Sequence, residues 1–407
     1  MSEQKIKSGP NRISPLMIGP IVKVHYLQGC EPCHFTAEPS TVKSVGVYNA
    51  AKSIAESLPD RKFLNWNRCS MSTKEEAVEN PHKYFIFADI RASETDIGEL
   101  RLQDLQNGKE YISFKYNILF QALSDERARG IIFFDEMNLA PNMIKAQFYK
   151  IINDRSVGDI PISREVLCCS AGNEAEHARG VTEDPVPLVL RRANYFVRPL
   201  SLPEWERFAI SEGYNQYVVG FTCLFQSKFI HHIQYDLPDG VGQPCPRTWT
   251  KLNKIQTKEM VTELMNYNEK DDEAPKPMLE IISTGLLGQE VASQYCAYVK
   301  TAQSIDLDAV IKDPKKIRAY EEGNLSLYYA IVSALVDRYR SDKNNMLKPI
   351  ILIANEMRKT ELGTFLVRNV KTIDKNAFMK IGLMKVDPKV IDDFAKRYSK
   401  YTKDRNQ

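Results

Sequence analysis

Residues 130–138 read GIIFFDEMN, and this stretch decides the fold class that the sequence predicts. Four apolar residues follow Gly130, and two acids, Asp135 and Glu136, come directly after them. A short apolar run of this kind is typical of a strand buried on both faces, as in a parallel sheet. The two carboxylates either only solvate the end of the strand or belong to a site built there. The stretch therefore predicts a buried strand with a pair of carboxylates at its carboxyl end.

Similar apolar runs lie on both sides of this strand. PCHFT (32–36), YFIF (84–87) and VLCCS (166–170) are short, bounded and apolar, which predicts three further buried strands. Between the runs, residues 43–58 and 142–153 place their apolar side chains on one helical face. This alternation of strands and helices predicts an α/β domain whose parallel sheet is flanked by helices on both faces.

The pattern changes after Leu200, where helical periodicity dominates and β-branched runs are few. Residues 266–277 (NYNEKDDEAPKP) are polar and charged, which favours a linker. We therefore expect three parts: an α/β domain over residues 1–200, a helical segment over 201–265 and a C-terminal helical region over 266–407.

The turn after the first predicted strand resembles a phosphate-binding loop. Residues 37–44 read AEPSTVKS, to be compared with the P-loop pattern G-x-x-x-x-G-K-[ST]. In such a loop the backbone N–H groups and the helix N-terminus face the phosphates. Lys43 would reach the β- and γ-phosphates of ATP or ADP, and the Ser44 hydroxyl would ligate Mg²⁺. The residues predicted to contact the nucleotide here are Glu38, Pro39, Ser40, Thr41, Val42, Lys43, Ser44 and Val45.

Both glycine positions of the pattern are filled by other residues, Ala37 and Val42. Glycine is usual there because the backbone bends sharply and must approach the phosphates closely. An ordinary strand-to-helix turn is therefore the alternative interpretation of this octet.

The two acids at the end of the 130–135 strand match the carboxylates that a P-loop enzyme uses, from a second strand, for its metal ion and its attacking water. Asp135 would hold the Mg²⁺ shell, and Glu136 would orient the attacking water and act as general base. The strand that begins at Val166 ends in Asn173, whose amide could hydrogen-bond to the γ-phosphate. Together these residues predict an ATP and Mg²⁺ site that hydrolyses the nucleotide.

Four stretches of the chain resemble one family. GIIFFDEMNLAPNMIKAQFYKIINDRSVGD (130–159) and VLCCSAGNEAEHARGV (166–181) are similar to the MoxR branch of AAA+ ATPases, as are FADIRASETDIGEL (87–100) and CPRTWTKLNK (245–254). The resemblance extends from about Pro15 to Lys396. It implies a P-loop AAA+ core with a parallel sheet flanked by helices, followed by an all-helical lid over 201–265 and further C-terminal helices.

The resemblance also implies roles for individual residues and for partners. Asn173 would be the sensor 1 residue, on a strand beside that of Asp135, and Arg247 would be a sensor 2 arginine. Arg192, with Arg191 as a supporting charge, would act across a subunit boundary on a neighbour's ATP; a solvated pair at a helix end is the alternative. The family implies a homo-oligomer, usually a hexameric ring, and chaperone-like remodelling of partners that often contain a von Willebrand factor A domain.

Composition and charge narrow the class of protein. The 407 residues include 55 Lys and Arg against 52 Asp and Glu, a net charge of +3, which argues against bulk nucleic acid or an anionic membrane as partner. No apolar run approaches the roughly 20 residues of a membrane span, and the N-terminal residues contain no secretory signal, so we expect a cytoplasmic protein. CEPCH (30–34) matches redox, zinc and haem patterns, but no second C-x-x-C follows to complete a zinc site.

Three functions remain in competition at this level. An ATPase that remodels protein partners is the leading hypothesis. A nucleotide-binding scaffold with a degenerate P-loop and weak or absent hydrolysis is the second, favoured by Ala37 and Val42. A DNA-acting AAA+ protein is the third, and the near-neutral charge counts against it.

Overall fold

The computed structural model describes residues 11–91, 100–106, 109–115, 117–174, 184, 186–225, 230–231, 233–234, 240–267, 276–321, 325–383 and 386–402 of the chain. The chain divides into two compact units, Met1–Pro199 and Leu200–Gln407. None of the helices in the described ranges is long and apolar enough to cross a membrane.

The first unit is built on a seven-stranded sheet in which every pairing is parallel. Two short antiparallel hairpins accompany it, and the spatial order of the main sheet is β1-β11-β2-β10-β7-β4-β3. In chain order the strands are β1 (Arg12–Ile13), β2 (Cys33–Ala37), β3 (Lys62–Asn65), β4 (Tyr84–Arg91), β5 (Leu100–Gln106), β6 (Lys109–Lys115), β7 (Arg129–Asp135), β8 (Ser156–Val157), β9 (Ile160–Pro161), β10 (Val166–Asn173) and β11 (Ala193–Val197).

Helices cover both faces of this sheet. They are α1 (Ile18–Leu27), α2 (Lys43–Glu56), α3 (Met71–Glu79), α4 (Ile118–Ser124), α5 (Asn142–Asp154) and α6 (Val186–Leu190). Because side chains alternate along a strand, Phe133 packs with α1 and α2 on one face, while Phe134 packs with α4 and α5 on the other. The apolar run of β7 is therefore buried from both sides, and the predicted α/β class with a parallel sheet is confirmed.

The four strands predicted from apolar runs are present, and each is one to four residues longer at its carboxyl end. Three more strands join the sheet that the sequence pattern did not indicate, namely β1, β3 and β11. These strands are short or carry mixed polar residues, so they show no apolar run of their own. β1 has two residues and pairs with Phe196 and Val197 of β11.

In the second unit, every regular element within the described residues is a helix, as the sequence predicts. The helices are α7 (Leu202–Ser211), α8 (Gln216–Leu224), α9 (Pro246–Ile255), α10 (Lys258–Asn266), α11 (Met278–Leu287), α12 (Gln289–Gln303), α13 (Leu307–Lys312), α14 (Ile317–Glu321), α15 (Leu325–Ser341), α16 (Lys343–Glu356), α17 (Thr360–Ile373), α18 (Pro388–Arg397) and α19 (Ser399–Thr402). Buried aromatic rings, with Phe221 against Trp249 and Tyr295, form part of its core. The division into a lid and a C-terminal region stays a prediction, and residues 268–275 of the expected linker lie outside the described residues.

Candidate nucleotide site

The loop between β2 and α2 contains two residues with left-handed backbone conformations. β2 ends at Ala37 and α2 begins at Lys43. Val42 has φ 57° and ψ 26°, and Ser40 has φ 64°, so both lie in the left-handed region. Such a conformation costs roughly 1–2 kcal/mol for a residue with a β-carbon. The chain therefore keeps a glycine-like bend at position 42 although valine stands there.

Lys43 joins this loop to the end of the neighbouring strand β10. Its side chain is buried, and its Nζ donates to the carbonyl oxygens of Ala37 and Glu38, each at 3.3 Å. The same Nζ donates to Oδ1 of Asn173 at 3.1 Å. Within the loop, the Thr41 hydroxyl donates to the Glu38 carbonyl at 2.9 Å. The ammonium group therefore lies between the loop carbonyls and the asparagine that was predicted as sensor 1.

Ser44 and Asp135 are in direct contact. The Ser44 hydroxyl donates to Oδ2 of Asp135 at 2.6 Å, and the other carboxylate oxygen accepts from the Glu136 amide at 2.9 Å. Glu136 itself has φ 55°, a third left-handed backbone at this edge of the sheet. β10 lies between β2 and β7, so the contacts bridge three adjacent strands at their carboxyl ends. This is the edge where open parallel sheets bind ligands.

Asn138 orients Asn173, and the sequence analysis did not identify it. Its Nδ2 donates to the Asn173 carbonyl, and its Oδ1 accepts from the Asn173 amide at 3.0 Å. Gly172 makes room for this pair, because a β-carbon there would lie 2.9 Å from the Asn138 side chain. The asparagine that follows the acidic pair by two residues in DEMN was the available signal, but its contact depends on a strand 35 residues further along the chain.

Asp89 is a third acid near the pair, also missed. It lies on β4 opposite Phe133, so its side chain is on the same face of the sheet as that of Asp135. Its pKa is raised to about 6, mainly by burial, with the charges of Asp135 and Glu136 adding to the rise and that of Arg91 opposing it. Asn67 holds this position, since it accepts from the Asp89 amide and donates to its carbonyl. This end of the site is therefore strongly acidic.

Arg192 differs from its expected place at a subunit boundary. Its side chain is only 2% exposed and forms an ion pair of 2.5 Å with Asp184, which is 7% exposed. It also donates to Oδ1 of Asn194 at 3.0 Å and to the Ser170 hydroxyl at 3.5 Å. In the single chain the guanidinium of Arg192 is therefore occupied by these internal contacts. Its predicted role at a neighbour's ATP stays a prediction.

The remaining predicted residues are distributed as follows. Arg191 is exposed, and Val45 is 47% exposed in the first turn of α2. Glu38, Pro39 and Ser40 are half-buried in the loop. Arg247 is exposed in the first turn of α9, in the second unit.

The donor set at this edge fits a nucleotide with Mg²⁺. Mg²⁺ prefers oxygen ligands and usually takes one or two from protein, with phosphates and water completing its shell. Ser44 and Asp135 supply a hydroxyl and a carboxylate that already touch. Phosphates are favoured at a helix N-terminus with a nearby lysine, as α2 and Lys43 provide.

No family model matches the chain, and no curated protein matches it either. Solved structures with a distant likeness include PCH-2 from C. elegans, with 13% identity over 81% of this chain and 67% of that one, at a TM-score of 0.27. NtrX from Brucella abortus in complex with ATP has 10% identity over 90% of this chain and 70% of that one, at a TM-score of 0.29. The Aeropyrum pernix ORC2 protein, in ADPNP–ADP complexes, has 10% identity over 93% of this chain and 97% of that one, at a TM-score of 0.28. Likeness at this level carries no functional conclusion.

Proposed function

We propose that this chain is an ATPase of the AAA+ type that binds ATP with Mg²⁺ at residues 37–44 and hydrolyses it with Glu136. One observation carries the proposal: Lys43 contacts Asn173 and Ser44 contacts Asp135 at the carboxyl edge of one parallel sheet. These residue types, from three strands, are those that phosphoryl transfer needs for charge, metal and water.

Each side chain has a distinct part in this reaction. Lys43 and the amides at the start of α2 bind the phosphates, while Ser44 and Asp135 hold the metal. Mg²⁺, when bound, neutralises charge on the β- and γ-phosphates. Glu136 orients the attacking water and accepts its proton. Asn173, positioned by Asn138, donates its amide to the γ-phosphate or to that water.

The wider proposal follows from the sequence resemblance to MoxR-type proteins at residues 130–159 and 166–181. It comprises a homo-oligomeric, hexameric ring in the cytoplasm that remodels a protein partner containing a von Willebrand factor A domain. Because Arg192 is buried in an ion pair, the exposed Arg191 is the arginine available to a neighbouring subunit.

Glu136→Gln tests the enzymatic part. Removing a positioned base slows hydrolysis by about 10²–10⁴-fold, whereas ATP binding through Lys43 and Ser44 is expected to remain. Phosphate release and equilibrium binding of ATP are measured on the same preparation. Glu126→Gln is the matched control, because Glu126 is exposed near the amino end of β7 and should leave both quantities unchanged.

A nucleotide-binding scaffold without turnover is the second candidate. The left-handed Val42 favours it, since a strained loop binds phosphates less well than a glycine loop. ATP binding by a wild type that shows no Mg²⁺-dependent hydrolysis, even when assembled, would establish this candidate and reject the ATPase.

Assembly is tested by mixing two inactive variants. Lys43→Ala removes ATP binding from one subunit, and Arg191→Ala removes the exposed guanidinium from another. If Arg191 acts across the boundary, the mixture should recover part of the hydrolysis rate that neither variant shows alone, since an arginine in this role is worth roughly 10³–10⁵ in rate. Full activity of a dilute, monomeric wild type would contradict the trans role.

A further inference from the structure

A cavity of about 340 Å³ lies in the first unit at the opposite edge of the sheet from the candidate nucleotide site. Pro32, Arg164 and Arg191 line it, and they precede β2, β10 and β11 by one or two residues. Because these strands are parallel, their amino ends share one edge. The cavity is therefore separate from the residues proposed to bind ATP.

The backbone around this cavity is strained in the same manner as the nucleotide loop. Within the described residues, five residues other than glycine have a left-handed φ. Three of them, Ser40, Val42 and Glu136, belong to the candidate nucleotide site. The other two, Cys30 and Arg155, flank this cavity, with φ of 58° and 49°. Such strain persists only where surrounding contacts enforce it, and it is concentrated at functional sites.

Arg155 supplies those contacts. Its guanidinium donates to the Cys30 carbonyl and, at 2.8 Å, to the Val166 carbonyl. It thereby ties the end of α5 to the turn before β2 and to the start of β10. The shape of the cavity is consequently set in part by a half-buried guanidinium that bridges three segments.

The charge of the lining favours an anion. Three guanidinium groups, those of Arg155, Arg164 and Arg191, face one carboxylate, Glu31, which leaves a net charge of +2. The carboxyl ends of α1, α5 and α6 are near and contribute roughly half a negative charge each. A positive balance of about half a charge remains after this subtraction.

Asn153 adds a second requirement. Its Oδ1 is buried and has no hydrogen-bond partner among the described residues. Buried polar atoms are almost always paired, so a ligand that fits must present a donor to this oxygen as well as acceptors to the arginines. A phosphate ligand meets both conditions when it also carries a hydroxyl. Inorganic phosphate keeps one O–H near neutral pH, whereas a monoester group is mostly the dianion there and a sugar phosphate supplies the hydroxyl from its sugar.

We propose that this cavity binds the phosphate group of a small ligand, with Arg164 and Arg191 as its direct contacts and Asn153 accepting from a hydroxyl of that ligand. The planar guanidinium fork matches phosphate oxygens in pairs. Both arginine side chains are exposed and so reach an arriving ligand, whereas Arg155 donates to backbone carbonyls. The volume is at the lower end of ligand pockets, which suits free phosphate or a small phosphate monoester. This site shares Arg191 with the subunit contact proposed above but includes none of the residues proposed to bind ATP, and it does not depend on ATP hydrolysis.

The test uses the full chain with Lys43→Ala, so that the phosphate loop does not contribute to binding. Inorganic phosphate and ribose 5-phosphate are titrated separately by calorimetry, and the tighter of the two identifies the source of the group. Arg164→Gln together with Arg191→Gln should weaken binding about tenfold or more, since charge-assisted hydrogen bonds are lost. Arg68→Gln together with Arg127→Gln changes the net charge equally at exposed positions elsewhere and should have no such effect.

Glu31→Gln is expected to increase the affinity for phosphate, and a misfolded variant would not show such an increase. The substitution removes the one carboxylate of the lining and should tighten phosphate binding several-fold. Absence of saturable binding for either probe, or an equal loss in both arginine pairs, would overturn the proposal.

Discussion

Val42 shows how a single residue can keep a functional backbone at a cost in strain. Its left-handed φ of 57° is the bend that glycine adopts freely, and a β-branched side chain is among the least suited to it. The cost of roughly 1–2 kcal/mol is carried by contacts around it, such as the hydrogen bond from the buried Thr41 to Glu38. The loop therefore keeps, with valine, a backbone conformation that glycine adopts freely.

Val42→Gly is expected to tighten ATP binding by a few fold. Removing the strain stabilises the fold by about 1–2 kcal/mol. Glycine also raises the entropy of the unfolded chain, which destabilises the fold by about 0.4–1 kcal/mol, so stability should change little or rise. Equilibrium binding and thermal unfolding measure the two effects. Val24→Gly is the control, because Val24 is an exposed residue within α1 and glycine in a helix should only destabilise. A clear loss of ATP binding in Val42→Gly would mean that the loop has a valine-adapted shape.

At the scale of elements, a buried polar network joins the strands beneath the site. His34 on β2 is paired with Ser170 on β10, with Nδ1 and Oγ 2.8 Å apart. Arg192 also donates to that hydroxyl, and Asp184 binds both Arg192 and, at 3.3 Å, Lys145 on α5. Burial, with the charges of Arg192, Lys43 and Lys145, holds the pKa of His34 well below its ordinary value, so this ring is neutral. The network fixes the segment before β11 to the core of the unit.

Arg192→Met is expected to lower the free energy of unfolding by about 3 kcal/mol. Removing one partner of a buried ion pair costs roughly 3–5 kcal/mol, and the low end applies because Lys145 still balances Asp184. Denaturant unfolding measures the loss. Arg191→Met is the matched control, for an exposed side chain should change stability by less than about 0.5 kcal/mol. Unchanged stability of Arg192→Met, with hydrolysis lost, would restore Arg192 as the arginine that acts on a neighbour.

At the scale of the whole molecule, the acidic end of the nucleotide site makes stability depend on pH. The pKa of Asp89 is about 6 in the folded chain, above its ordinary value of 3.8. Between these values the native state binds more protons than the unfolded state, so stability falls as the pH rises through this window. Ionised Asp89 therefore lowers the free energy of unfolding at neutral pH, and a cation bound nearby would offset this loss.

Asp89→Asn should raise the thermal midpoint at pH 7 by about 1–3 °C, and the difference should disappear below pH 4. Calorimetry across pH 4–8 measures it. Asp125→Asn is a control of opposite sign, because the Arg127 hydrogen bonds hold the pKa of Asp125 at about 2 and its ionised form stabilises the fold. A rise in the midpoint of Asp125→Asn, or no change in Asp89→Asn, would contradict this account.

The sequence by itself determined the class of the fold and the positions of the main chemical groups. The apolar runs around Phe35, Phe87, Phe133 and Cys169 are buried on both faces, and short bounded runs of that kind are typical of interior strands. The end of each run then placed Lys43, Asp135 and Asn173 at one edge, because parallel strands share their carboxyl ends.

Only the tertiary structure decided the contacts that depend on residues far apart in the chain. β1, β3 and β11 are too short or too polar to show a pattern, and they become strands because neighbours supply their hydrogen-bond partners. Asn138 orients Asn173 across 35 residues, and Arg192 donates to Ser170 across 22, separations that no local period records. The reason is physical: periodicity reports which face of an element is buried, whereas ion pairs and hydrogen bonds depend on which elements become neighbours.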